Sequence, residues 1–421
     1  MSPPPTVPII KCRGDEYHSA GEVFGQIATD AATTHGGLLT VLNAYAGMAG
    51  DDSVGAQWAG SYGQAAQLAI STSAKLVTAC GQTRDLLVIG AYNHEVAETI
   101  ADHRNLQLPT QPLLTNDPCL AEVVPSAAGD GIPEPFGWSI IKTAVGAAWP
   151  NGHQDQLDAA RDGWHTASSD FRTLAGNVSP AVDLLNNQQS PEIQTSVDTC
   201  NQRKTDLNAL ADACQSLGDA CGEYANHLDE AHRKILDELQ EFLLEAAAWE
   251  VGAAILTPFT GSISEWVGNS ALAGRVAMRA RRIAAIIGEL ATKVTKLVTD
   301  AVKPLVERLK PLLERVRKWV EEAKTKLLKK GPTFKRPPEV SEDWVPRTAD
   351  NGKGVVWQKP GAVKNADSMR IMDPTTDYPN GYVRYYNEHG QPIDLNGKPG
   401  SKPATHIPIN PDGTYPKPKG W

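Results

Sequence analysis

The chain has 421 residues, 41% of them apolar, and a net charge of −9. This length allows about two to four domains, and the apolar share is that of chains with buried cores. No window of about eighteen uncharged apolar residues occurs, so no membrane-spanning helix is expected. The start, MSPPPTVPIIKCRGDEY, lacks the basic residues and apolar run of a cleavable signal.

In chain order, residues 17–48 carry apolar positions at helical spacing: Val23, Phe24, Ile27, Ala31, Leu38, Leu39, Val41 and Leu42. A Gly-rich break, GMAGDDSVGAQWAG, follows, with Trp58-Ala59-Gly60 at its end. A second helical run covers residues 61–103, and the two read as a helical hairpin over 1–103. Residues 104–136 hold Pro109, Pro112, Pro118, Pro125, Pro133 and Pro135, a density that opposes helix and predicts a linker. Helical character resumes near Trp138 and continues as a second hairpin or bundle over 137–274, with breaks near Gly176–Pro180 and Gln188–Pro191.

Basic amphipathic helices then fill 275–331. Their apolar seam is Val298, Val302, Leu305, Leu309, Leu312, Val316, Trp319, Ala323 and Leu327, in steps of mostly four and three. Left exposed, such a stripe predicts a partner or self-association. Pro304 and Pro311 each cost roughly 3 kcal/mol in a straight helix, so kinks or shorter helices are expected. Residues 332–350 are Pro-rich and charged and read as a linker. The tail, 351–421, is rich in Gly, Pro, Asn, Tyr and Lys. Its short alternating runs, Val355–Trp357 and Tyr382–Tyr386, are separated by turn dipeptides such as Asn380-Gly381 and Asn396-Gly397. The expected fold is multi-domain: mainly α helical hairpins and amphipathic helices, followed by a small β-rich (α+β) domain.

Charge is distributed unevenly. Residues 1–274 sum to −21, 275–336 to +12, 337–350 to −3 and 351–421 to +3. The acidic part is thereby excluded from facing nucleic acid, and the basic helices and the tail remain. The charges of the basic helices are a solvated face or a surface that touches acidic lipid, in a transient membrane contact, or RNA. Six cysteines, at 12, 80, 119, 200, 214 and 221, match no zinc spacing and read as three disulfides or as reduced core thiols.

The stretch VFGQIATDAATTHGGLLTVLNAYAGMAGDDSVGAQWAGSYGQAAQ, with Trp58-Ala59-Gly60 at its turn, resembles the WxG-type helical hairpins of type VII secretion substrates in actinobacteria and firmicutes. AWPNGHQDQLDAARDGWHTASSDF, at 148–171, is a second and weaker match. The resemblance implies secretion without a cleavable signal peptide and a small helical export partner. The family's tag, Tyr-x-x-x-Asp/Glu, is missed by one place, because Tyr224 is followed by Leu228 and then Asp229. A partner chain is then expected to carry it.

The tail phrases SMRIMDPT, YPNGYVRYYNEHGQPIDLNGKPGS and THIPI resemble C-terminal domains of bacterial polymorphic toxins. Several of these are similar to metal-independent ribonucleases of the barnase/EndoU/colicin/RelE-like group. The resemblance implies an antibacterial toxin, an immunity protein that neutralises it, and action on RNA in the cytoplasm of a target cell.

Metal-free RNA cleavage needs a base for the 2′-hydroxyl, cations for the phosphate and an acid for the leaving oxygen. His406, flanked by Thr405 and a short Ile-Pro-Ile run, titrates near neutral pH when unperturbed. Arg370 and Arg384 grip phosphate through paired hydrogen bonds. Lys398 and Lys402 lie in a Gly-rich turn, and Tyr382, Tyr385 and Tyr386 are candidates for base stacking. Alternation places Tyr382 with Arg384 on one strand face and Val383 with Tyr385 on the other, one set being core. His389 reads as a turn residue before Gly390. The expected catalytic set is His406, Arg384, Arg370 and Thr405; the expected substrate-binding set is Lys398, Lys402, Tyr385 and Tyr386. No metal, cofactor or DNA is expected, since the tail lacks Cys ligands, HExxH and a phosphate loop. The alternative is a non-enzymatic secreted helical protein whose tail is a binding module.

Overall fold

The computed structural model describes residues 11–101, 109–115, 117–247, 270–328, 336–349 and 353–421. The chain divides into two compact units, Met1–Ala91 with Leu113–Lys326, and Tyr92–Pro112 with Leu327–Trp421. The first is helical; the second contains the antiparallel sheet of the tail.

Helix α1 (Gly14–Ala44) buries Tyr17, Phe24, Ile27, Ala31, Leu38 and Leu42, the three- and four-residue spacing read from sequence. Helix α2 (Ser53–Ala101) starts eight residues earlier than its hydrophobic pattern suggests. Asp52 is the reason: its carboxylate accepts the N–H groups of Val54 at 2.9 Å and Gly55 at 3.2 Å and so caps the helix there. Trp58-Ala59-Gly60 therefore lies inside the helix and not at the turn. Trp58 is fully buried, stacked on Tyr62 (4.5 Å between centroids) and on Tyr224 (4.9 Å).

The Pro-rich segment is extended, as expected, but residues 113–136 are packed onto the helices instead of spanning open solvent. Asp85 holds the Thr115 hydroxyl at 2.7 Å, His35 reaches the carbonyl of Ala121 at 2.9 Å, and Gln67 meets the backbone of Glu122 and Val124. Ala127 donates no helix bonds, yet its carbonyl accepts Ala49 N–H at 2.8 Å. Proline has removed donors from this segment, and several of its remaining backbone groups bond to side chains of α1 and α2.

Helices α3 (Trp138–Val145), α4 (Gln154–Gly176), α5 (Ser179–Asn186) and α6 (Ile193–Ala247) follow, with breaks where Gly176, Pro180 and Pro191 predicted them. Trp164 of α4 donates its indole N–H to Tyr62 at 2.8 Å and is fully buried. Gly218 and Gly222 of α6 let α4 approach: a Cβ at Gly222 would sit 2.8 Å from Cδ of Arg161. Tyr224, the residue of the near-miss secretion tag, is core.

Helix α7 (Ser270–Leu297) passes through a π-helical turn, Val298–Val302, into α8 (Lys303–Leu328). Pro304 falls just after that turn, where Lys303 N–H already bonds five residues back to Val298. The π turn thus absorbs the missing donor of Pro304, while Pro311 is carried inside α8. The seam does not face solvent. Val298, Val302, Leu305, Leu309, Leu312 and Val316 are buried in the same core as Trp58 and Trp164. The expected need for a partner along this stripe is removed by packing within the chain. Basic and acidic segments also neutralise one another: Arg279 meets Glu238 and Glu245 at 2.6 Å each and also Glu241, Lys293 meets Glu230 at 2.6 Å, and Arg315 meets Asp206 at 2.6 Å. Pair numbers rise along α7 and α8 as they fall along α6, so the two run antiparallel.

None of the six cysteines is in a disulfide. Cys80, Cys200, Cys214 and Cys221 are buried, and burial pushes the thiols of Cys80 and Cys200 up to about 12, so they are inert core residues at neutral pH. Among the described residues no helix is long and apolar enough to cross a membrane.

The tail sheet is antiparallel in the order β1 (Val345–Thr348), β2 (Val355–Gln358), β3 (Ser368–Met372), β4 (Tyr382–Tyr386), β5 (Pro392–Ile393), with β6 (Ile407–Pro408) also on β4. Its first strand and the buried Val340 come from the stretch read as linker. One face packs Val355, Trp357, Met369, Val383, Tyr385, Ile393 and Ile407 into a core. Gly381, at φ 88°, supplies the left-handed turn into β4 that a side chain would block against the Met372 carbonyl.

Candidate functional site

Strand register builds the site. Arg370 of β3 lies directly opposite Arg384 of β4. Cross-strand partners point to one face, so both guanidiniums share the face opposite the Tyr385 core. Tyr386 lies beneath both, its ring 5.3 Å from the Arg370 guanidinium and 5.2 Å from that of Arg384. Arg370 also donates to the Asn365 side chain at 2.7 Å. The Nε of Arg384 is buried without a hydrogen-bond partner among the described residues. Two like charges set directly opposite each other destabilise a sheet.

His406 ends a short helix, α9 (Lys402–Thr405), and precedes β6. Ile407 pairs with Val383, so the register carries His406 to the level of Arg384. The imidazole lies 4.5 Å from the Tyr382 ring and 5.9 Å from that of Tyr378. Its Nδ1 is 2.7 Å from the Lys402 carbonyl. A carbonyl only accepts, so Nδ1 carries the proton and Nε2 keeps its lone pair. Burial lowers the imidazole's pKa below its ordinary value; the Lys402 carbonyl opposes this, and the charges of Arg384 and Lys402 add to it. A neutral histidine with a free Nε2 lone pair is a base, and beside fixed guanidiniums it suits deprotonation next to a bound anion. The residue is only 5% exposed.

The structure thus brings Arg370, Arg384 and His406 together. It places the other expected residues elsewhere. Thr405 is buried, its hydroxyl donating to the Ser401 carbonyl at 3.1 Å, which closes α9 and leaves no role at a substrate. Tyr385 is fully buried and donates to Glu339 at 3.1 Å, so no ring face is open to a base. Tyr386 is buried beneath the arginines and serves to orient them. Lys398 is exposed in a turn where Asp394 accepts the N–H groups of Asn396 (2.9 Å) and Lys398 (3.0 Å); these bonds hold Asp394 below the usual carboxylate range. Lys402 is exposed and contributes its carbonyl. His389 is an exposed turn residue. Arg347 of β1 pairs with Val356, itself the partner of Arg370. Only knowledge that 345–348 is a strand, with its register, could have shown it.

One family model matches part of the helical unit. Residues 131–276 match the WXG100 like domain. That range takes in the match at 148–171 that the sequence ranks as the weaker one, and it leaves Trp58-Ala59-Gly60 outside. The chain is 30% identical over 234 residues to the outer membrane channel protein CpnT of Mycobacterium tuberculosis (strain ATCC 25618 / H37Rv), and equally to that of Mycobacterium bovis (strain BCG / Pasteur 1173P2), covering 54% of this chain and 26% of CpnT. It is 36% identical over 186 residues to Mav of Mycobacterium avium (strain 104), a protein named for a proposed NAD(+)–arginine ADP-ribosyltransferase activity, covering 41% of this chain and 20% of Mav. The match thus spans about a quarter of CpnT and a fifth of Mav. No solved structure matches the chain.

Proposed function

We propose that this chain is an exported antibacterial toxin whose helical unit serves type VII secretion and whose tail cleaves RNA without a metal. The observation that carries the chemistry is the facing pair Arg370 and Arg384 beside a neutral His406. The WXG100 like domain supports the export part, and the matches to CpnT and Mav, of 234 and 186 residues, exceed the length of the tail and so include helical residues. In the proposed reaction His406 Nε2 takes the proton of the 2′-hydroxyl, and the 2′-oxygen bonds to phosphorus. The bond from phosphorus to the 5′-oxygen breaks, water protonates that oxygen, and a 2′,3′-cyclic phosphate remains. Arg384 and Arg370 hold the non-bridging oxygens as charge builds on them. An acidic immunity protein is the expected neutralising partner, and a small helical protein the export partner.

Total RNA incubated with the purified chain, with chelator present, tests the reading. His406→Ala is expected to lower cleavage by about 10²–10⁴-fold, the usual share of a positioned base. Arg384→Ala is expected to lower it by about 10²–10³-fold, as loss of one fixed donor does. His389→Ala is expected to be silent. Because the base acts unprotonated and its pKa is lowered, activity should be flat through neutral pH and fall only in acid. Full activity of folded His406→Ala, or activity abolished by chelator, refutes the proposal.

A further inference from the structure

Three rings meet beside the arginine pair. Tyr378 lies 4.9 Å from Tyr382 and 5.9 Å from His406, and Tyr382 lies 4.5 Å from His406, between ring centroids. Tyr382 stands two residues before Arg384 on β4 and therefore on the same strand face, where it leans on Ala349, Val356 and Met372. Tyr378 stands in the turn between β3 and β4. That turn is fixed: Thr375 and Tyr378 exchange backbone bonds at 3.0 and 3.2 Å, and the Tyr378 carbonyl also accepts Gly381 N–H at 2.9 Å. Its side chain nevertheless joins neither apolar cluster of the tail. Both tyrosines are half-buried, unlike Tyr385 and Tyr386, which are buried. The turn also carries Asp373 and Asp377, both exposed. Their carboxylates repel a phosphate, so this end of the site fits the uncharged part of a nucleotide and the arginine end fits its phosphate.

We propose that Tyr378 and Tyr382 stack one nucleobase, that of the nucleotide whose 2′-hydroxyl is attacked. This rests on the proposed function and adds the residues that select its substrate. The attacking hydroxyl must meet His406 Nε2, and the base of the same nucleotide hangs from the neighbouring carbon of the same sugar. The base is thereby held beside the imidazole, where the two tyrosines stand. The nucleotide beyond the cut lies on the arginine side, where the Tyr386 ring is buried. The rings of Tyr378 and Tyr382 are tilted by 50°. A base stacked on one meets the other edge-on, an arrangement aromatic rings favour. A two-ring purine reaches both more fully than a one-ring pyrimidine, so a purine is expected on the 5′ side of the cut. Tyr378 is then a specificity residue that moves no proton.

The test uses the full chain and 2′-O-methyl oligonucleotides with one central ribonucleotide, the one place where a 2′-hydroxyl can attack. That ribonucleotide carries adenine, uracil or no base. The unaltered chain is expected to cut the adenine substrate a few-fold faster than the uracil one, and the abasic one slowest. Tyr378→Ala should lower kcat/KM on the adenine substrate by about 5–150-fold, the usual share of one stacked base, and leave the abasic substrate unchanged. Tyr378→Phe, which keeps the ring, should behave as the unaltered chain does. Tyr378→Ala is compared at matched circular dichroism. A ring that served only to shield His406 from water would matter equally with and without a base. Equal losses on the adenine and abasic substrates, or no loss on either, therefore overturn the stacking role while leaving cleavage by His406 standing. An unaltered chain that cuts none of the three substrates, nor total RNA, overturns both this role and the proposed function.

Discussion

Asp206 offers a sharp test of how the basic helices are held. The side chains of Arg203 and Asp206 are both fully buried, 2.9 Å apart, and the Arg203 guanidinium lies 4.3 Å from the Trp319 ring of α8. Asp206 also accepts two bonds from Arg315, at 2.6 and 3.1 Å, and one from Gln202 at 2.9 Å. One carboxylate therefore compensates two guanidiniums, one of them with no access to water. Burial lowers the pKa of Arg203, and Asp206 opposes that. Asp206→Ala leaves Arg203 buried without its counter-ion and should cost about 3–5 kcal/mol. Arg203→Met should cost much less, because Asp206 keeps Arg315 and a methionine fills the space against Trp319. The double variant should recover most of the loss, giving a coupling of about 1–3 kcal/mol. Urea unfolding followed at 222 nm reports on the helical unit, since the tail contributes little helix. A loss below about 1 kcal/mol in Asp206→Ala, or a double variant no better than that single one, would refute the reasoning.

Three further outcomes follow from the packing. Trp58→Ala should destabilise the helical unit by about 3–5 kcal/mol, since it empties a fully buried site stacked on Tyr62 and Tyr224, and Trp58→Phe by clearly less; calorimetry on both decides. His35 and His232 are buried with lowered pKa values, each mainly through desolvation. The unfolded chain takes up these protons near pH 6.5 and the folded chain only at lower pH, so stability is full above about 6.5 and falls as pH drops through the folded values. Melting temperatures between pH 7.5 and 5 should show that fall, and His35→Gln with His232→Gln should flatten it; an unchanged slope counts against the assignment. Tyr385→Phe should cost the tail about 1 kcal/mol through its bond to Glu339 and leave RNA cleavage unchanged, because the ring is core; lost cleavage in a folded variant would return Tyr385 to the substrate.

The sequence by itself determined the helices, most of their breaks and the order of helical unit then sheet. Helical spacing, prolines and turn dipeptides are local signals, and local sterics enforce them. It also put Val383 and Tyr385 on one strand face and Arg384 on the other, because side chains must alternate along a strand. What it left open was which of two apolar-containing surfaces would be covered. The seam from Val298 to Ala323 reads the same whether it meets another chain or α6 of its own. Only the antiparallel return of α7 and α8, with Arg315 on Asp206 and Arg279 on three glutamates, decided it. Likewise Thr405, Tyr385 and Tyr386 carry groups fit for chemistry, and burial withdrew them. Arg370, Arg384 and His406 are scattered along the tail, and strand register alone aligns them. Pairing across a sheet is a long-range choice, made by which faces bury together, and no local pattern encodes it.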